Sequence, residues 1–130
     1  MTPSKIATIA TLLAGLTVLA APVLAEGDAK KGAKVFKKCK ACHAIGEGAK
    51  NKVGPVLTGI VGAQAAQNPD FGYSNAMTEA AEDGLVWDAE NLAAFLTKPK
   101  DFMKKTKMSF AGLRKESDIA NIIAYLESVQ

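Results

Sequence analysis

The clearest periodic signal lies at the end of the chain, where Ile119, Ile122, Ile123, Leu126 and Val129 recur at helical spacing and define one apolar stripe. Ser117 is the expected cap of that helix. A second helix is predicted from Asp88 as N-cap through Leu96, with Leu92, Phe95 and Leu96 on one face and a stop near Pro99. Asp28 to Lys40 reads as a first helix whose apolar side holds Ala29, Ala33, Val35 and Phe36. A short helix fits Ser74 to Glu82. Between these, Ala44 to Gly72 is rich in Gly, Asn and Pro and reads as loops. No run alternates as strands do. The expected fold class is all-α with long loops, which is uncommon unless something other than peptide packs inside them.

The first 25 residues pattern differently. Lys5 precedes an uncharged apolar stretch from Ile6 to Ala21, Pro22 breaks it, and Val23-Leu24-Ala25 offers small residues where a signal peptidase reads. The expectation is an export signal over 1–25, cleaved after Ala25, and a single domain over 26–130. The competing reading is a retained membrane anchor, but the apolar stretch is shorter than the about 20 residues that span a bilayer.

Charge narrows the function classes. The chain carries 16 Lys and Arg against 13 Asp and Glu, and loss of Lys5 with the leader reduces the excess further. That balance does not suggest a nucleic-acid binder. The distribution is more informative. Lys30, Lys31, Lys34, Lys37, Lys38 and Lys40 crowd the start of the domain, and Lys98, Lys100, Lys104, Lys105, Lys107, Arg114 and Lys115 the last third. Asp70, Glu79, Glu82, Asp83, Asp88 and Glu90 fill the middle.

Cys39-Lys40-Ala41-Cys42-His43 is the attachment pattern of a c-type haem. Two thiols three positions apart can each add to one vinyl group of the same porphyrin, and the adjacent His43 is directed toward the iron. A structural zinc site needs a full tetrahedral ligand set, whereas the chain has two cysteines and one histidine. A thioredoxin-like dithiol needs a βαβ context, and a structural disulfide leaves His43 without a role. Because His43 is the only histidine, two histidines cannot bind one iron within this chain. The sixth position falls to a methionine, a lysine, water or nothing. Met77 and Met103 read as core fillers. Met108 sits between helix candidates, in a segment free to approach an open haem face.

Thr106-Lys107-Met108-Ser109-Phe110-Ala111-Gly112, after Cys39 to His43, resembles the class I cytochromes c, in particular the small bacterial cytochrome c2 type. The resemblance extends over the whole of 26–130. It implies a small all-α fold whose terminal helices pack across a covalent haem, with Gly32 and Phe36 meeting Ile122 and Tyr125. It implies that Met108 is the distal ligand opposite His43, that the Pro55 carbonyl in Gly54-Pro55 holds the haem histidine, and that Tyr73 and Trp87 hydrogen-bond a propionate. Three departures from the family pattern stand out. Lys104-Lys105 replace a common Pro-Gly, Phe95 replaces a frequent tyrosine, and Ala63 replaces a frequent arginine.

The function implied is a periplasmic one-electron shuttle, not an enzyme, acting as a monomer. Its implied partners are a membrane bc complex or a periplasmic dehydrogenase on one side, and a terminal oxidase or photosynthetic reaction centre on the other. The lysines are expected to ring the haem edge and steer docking onto acidic partners. Two alternatives stand beside it: a haem enzyme or gas-binding protein with an open iron, and a membrane-anchored relay.

Overall fold

A computed structural model describes residues 26–130; the expected export signal lies outside them. Among the described residues five α-helices follow in order: α1 (Ala29–Val35), α2 (Asn75–Glu82), α3 (Ala89–Thr97), α4 (Pro99–Phe102) and α5 (Glu116–Ser128). Among the described residues the only β pairing is an isolated antiparallel bridge between Gln64 and Val86, so the fold is all-α.

Three helices begin at side-chain caps. The Asp28 carboxylate accepts from the Lys30 and Lys31 amides at 2.8 and 3.1 Å, the Ser74 hydroxyl from Met77 at 3.1 Å, and Asp88 from Asn91 at 2.8 Å. Each satisfies donors that a helix start leaves open. Helix α5 departs from expectation. Lys115 occupies its cap position without a side-chain bond, and Ser117 lies inside the first turn. Glu116 and Asp118 there place negative charge at the positive end of the helix dipole, which supports the start without a hydroxyl cap.

Helix α1 is also shorter than its sequence pattern. It tightens into a 3₁₀ turn over Phe36–Lys38, and the Cys39 amide bonds to the Phe36 carbonyl at 2.8 Å. Tightening of a last turn is common at helix ends, and here it delivers the chain into the cysteine segment. Its buried side is Gly32, Val35 and Phe36, at i, i+3 and i+4. Ala33, expected on that side, is exposed, because one residue along a helix turns the side chain by about 100°. Pro99 ends α3, as expected, yet it also opens α4 at its first position, where its missing N–H costs nothing.

The terminal helices cross closely. A Cβ on Gly27 would overlap the Ala120 carbonyl, and one on Gly32 would overlap the Asn121 carbonyl. The Asp28 amide donates to Asn121 Oδ1 at 2.8 Å, and the Phe36 and Tyr125 rings lie 5.4 Å apart. Ile122, 1 % exposed, sits beneath this crossing with Ile119, Ile123 and Leu126. Trp87 and Phe95, both buried and with centroids 5.0 Å apart, form a second group against which the partly buried Phe102 packs. Met103 belongs to this core at 6 % exposure. Two patches of packing thus frame a space that the loops close.

Candidate functional site

That space is a cavity of about 650 Å³, within the range of small-molecule and cofactor sites. Cys39, Cys42, His43, Pro55, Tyr73, Trp87 and Met108 all line it. They come from five separate parts of the chain, so the cavity gathers the whole set of candidates read from sequence.

The cysteine segment is wound into turns. The Cys42 and His43 amides both bond to the Cys39 carbonyl, at 3.1 and 2.8 Å. This folding brings both thiols to the cavity wall and leaves both free. Burial pushes the Cys39 thiol up, opposed by the charge of Lys38 and assisted slightly by Cys42.

His43 is held on two sides. Its Nδ1 lies 2.7 Å from the Pro55 carbonyl oxygen. A carbonyl only accepts, so Nδ1 carries the hydrogen, and in the neutral ring Nε2 keeps its lone pair. Burial pushes the imidazole pKa down, the Pro55 bond works against that, and Lys52 adds to it. A neutral imidazole with a bare Nε2 is the form that binds a metal. One ring face rests on Gly54, where any Cβ would collide with the imidazole. Gly54 is itself fixed by its amide bond to the Cys42 carbonyl at 2.7 Å.

The Met108 segment is anchored at both ends. The Lys107 ammonium donates to the Gly72 carbonyl at 3.1 Å, and the Leu113 amide to the Leu96 carbonyl at 2.8 Å. Gly112 has φ +108° and presses against the Thr97 carbonyl, leaving no room for a side chain. Lys105, one of the residues replacing Pro-Gly, has φ +65°. A lysine therefore adopts a glycine-like left-handed conformation, at a cost of roughly 1–2 kcal/mol. Met108 and Met77 line the cavity; Met103 does not.

Several contributors carry no signature in the sequence. Asn68 lines the cavity beside Tyr73 and donates its amide to the Tyr73 hydroxyl at 3.1 Å. Val53, 78 % exposed, lies at the cavity wall. Both fall in the Gly-, Asn- and Pro-rich stretch, where spacing reveals only loops. Leu92, Phe95, Leu96, Ile122 and Leu126 supply apolar walls, and their helical stripes did foretell burial.

The residues suit a haem on chemical grounds. Two free thiols, a neutral imidazole with an open lone pair and a thioether share one largely apolar cavity, and the porphyrin takes the place of core. Comparison with known proteins agrees. Residues 29–130 match the family Cytochrome c. Cytochrome c2 of Agrobacterium tumefaciens is 54 % identical over 101 residues, covering 78 % of this chain and 91 % of that protein. Cytochrome c2 of Rhodospirillum rubrum is 42 % identical over 129 residues, covering 93 % and 95 %. The structure of cytochrome c2 from Rhodospirillum centenum superposes with a TM-score of 0.75 at 42 % identity, over 79 % of this chain and 98 % of that one. With its paired thiols and sole histidine on one cavity wall, the chain belongs to the cytochrome c family, is of the cytochrome c2 type, and is a haem c electron carrier.

Proposed function

We propose that this cytochrome is an exported one-electron shuttle with His43 and Met108 as axial ligands. The observation that carries the reading is the placement of the methionines. Met108 lines the same cavity as His43 from a loop, Met77 lines it from within helix α2, and Met103 is buried in the core outside it. A haem bound by imidazole and thioether supplies a one-electron couple of raised potential and leaves no position for a substrate. The chain's own part is to hold Nε2 of His43 in place through Pro55 and Gly54, to anchor the Met108 segment, and to exclude water with the Trp87–Phe95 group. Tyr73 and Trp87 face the same cavity and are read as propionate donors.

Electrons are proposed to come from a membrane bc complex or a periplasmic dehydrogenase and to pass to a terminal oxidase or photosynthetic reaction centre. The support is electrostatic. Lys38 and Lys107, from the two lysine-rich parts of the chain, both line the cavity, so each cluster brings one lysine to the haem site. Lys38 is held only loosely by Asp118, at 3.8 Å and largely in solvent, where such pairs contribute little. Among the described residues no helix is long and apolar enough to cross a membrane; release from the leader after Ala25 accompanies the proposal.

The test is made on protein from the periplasmic fraction. Its mass should equal residues 26–130 plus one haem that resists acid-acetone extraction, and it should mediate electron flow between isolated membranes' bc complex and oxidase. A mass that includes residues 1–25, with activity confined to membranes, would instead establish an anchored relay. Carbon monoxide binding by the untreated ferrous protein would favour an open-iron enzyme or gas sensor.

A further inference from the structure

The haem-facing loops 44–59 and 67–74 are separate stretches that both line the cavity, the first with Pro55, whose carbonyl holds His43, and the second with Tyr73. Among the described residues one hydrogen bond joins these two stretches. Asn68 Nδ2 donates to Asn51 Oδ1 at 2.8 Å, and the pair is partly buried. Asn51 Oδ1 also accepts the Val56 amide at 2.9 Å, next to Pro55. Asn68 Oδ1 accepts the Asp70 amide at 3.0 Å, and its backbone amide donates to the Tyr73 hydroxyl at 3.1 Å.

The orientation of both amides follows from their partners. A backbone N–H can only donate, so Asn51 must present oxygen to Val56, and Asn68 must present oxygen to Asp70. Nitrogen of Asn68 is then the group that faces Asn51, as found. The Tyr73 oxygen already accepts from Asn68, so its own hydrogen is free to donate elsewhere. An accepted bond strengthens that donation through polarisation.

We infer that Asn51 and Asn68 are positioning residues, a side-chain latch that ties the histidine-holding loop to the tyrosine loop and thereby sets the reduction potential of the haem. The inference rests on the proposed roles of His43 and Tyr73. With the latch closed, the Tyr73 hydroxyl is held to offset propionate charge and water is kept from the cavity edge. Opening it does two things of the same sign. It exposes the haem to a higher dielectric and leaves carboxylate charge less neutralised, and both favour the more positive ferric state. The potential must fall.

The experiment is a double-mutant cycle on the holoprotein with Asn51→Ala, Asn68→Ala and both together, reading potential and amide exchange. Each single change should lower the potential, the double change should lower it no further, and the Val56 and Asn68 amides should exchange faster. Asp28→Ala, which removes the cap of α1 outside the cavity lining, serves as a stability control and should leave the potential unmoved. Unchanged or additive potentials, or shifts that follow stability in the control as well, would overturn the latch. If the alanine variants do not retain a folded haem protein, the wild type decides: the Asn68 side-chain amide should be protected, and exchange at the rate of a free amide would overturn the proposal. A wild-type protein without methionine ligation would refute the ligand assignment, and the cycle would still judge the latch.

Discussion

The Nδ1 of His43 donates to the carbonyl oxygen of Pro55 over 2.7 Å, while the ring lies against Gly54. One backbone segment therefore fixes both the tautomer and the tilt of the imidazole. Only a residue without a Cβ allows that approach. Gly54→Ala should keep both thioethers, yet displace His43, disturb the low-spin spectrum and cost roughly 1–3 kcal/mol through overpacking. Absorption spectra and denaturant titration check this. A variant with native spectrum and native stability would contradict the packing described.

The terminal helices give a second expectation. Phe36 is 3 % exposed and its ring lies 5.4 Å from Tyr125. Phe36→Ala should cost about 3–5 kcal/mol, with roughly 0.5–1.5 kcal/mol of that shared with Tyr125 as an aromatic pair. A double-mutant cycle measures the shared part. Strict additivity would mean that the rings do not interact.

Acid stability should depend on Asp28. Its bond from the Lys31 amide is the largest cause holding its carboxyl below the ordinary 3.8, with lesser help from the Lys30 amide and both ammonium groups. A folded-state pKa below the unfolded one means that the unfolded chain binds the proton first. The contribution is therefore complete above the ordinary value and is lost as pH falls through the lower, folded value. Asn is also a good cap, so Asp28→Asn should leave neutral-pH folding intact and flatten the fall of the melting temperature below pH 3.8. An unchanged acid slope would contradict it.

Docking should respond to charge. Lys104 and Lys105 are exposed in the segment leading to Met108. Replacing both with Glu should slow electron transfer to a membrane oxidase at low salt and flatten its dependence on ionic strength, because steering raises encounter rates above about 10⁵–10⁶ M⁻¹s⁻¹. At about 0.1 M salt, where screening acts over roughly 10 Å, much of the difference should vanish. Glu79 and Glu82 variants should change little. Equal rates and slopes for the lysine variants would make the cluster a solvated surface only.

What could be read before folding follows a physical division. Helices α3 and α5 and the cysteine-histidine segment were legible because local spacing encodes them: buried stripes recur every three or four residues, and thioether attachment needs adjacent ligands. Residue type points to Ser117 as the cap of α5, but charge in the first turn substitutes for a hydroxyl. The extra turn at Pro99 leaves no separate signal, because proline stops one helix and opens another with the same geometry. Asn51 and Asn68 were invisible, since their partnership joins two loops and no periodicity links them. Lys105 shows the reverse: a departure from the family pattern was plain in sequence, but its left-handed backbone was not.

The central claim is a closed haem with Met108 on iron, and the near-infrared absorption of the oxidised protein tests it most directly. The wild type should display the weak methionine-to-iron band. Met108→Ala should lose it, keep covalent haem, fall in potential and bind carbon monoxide when reduced. Met103→Ala should retain the band while losing roughly 2–5 kcal/mol as a core truncation. A wild type without the band, or a band that survives in Met108→Ala and disappears in Met103→Ala, would contradict the account.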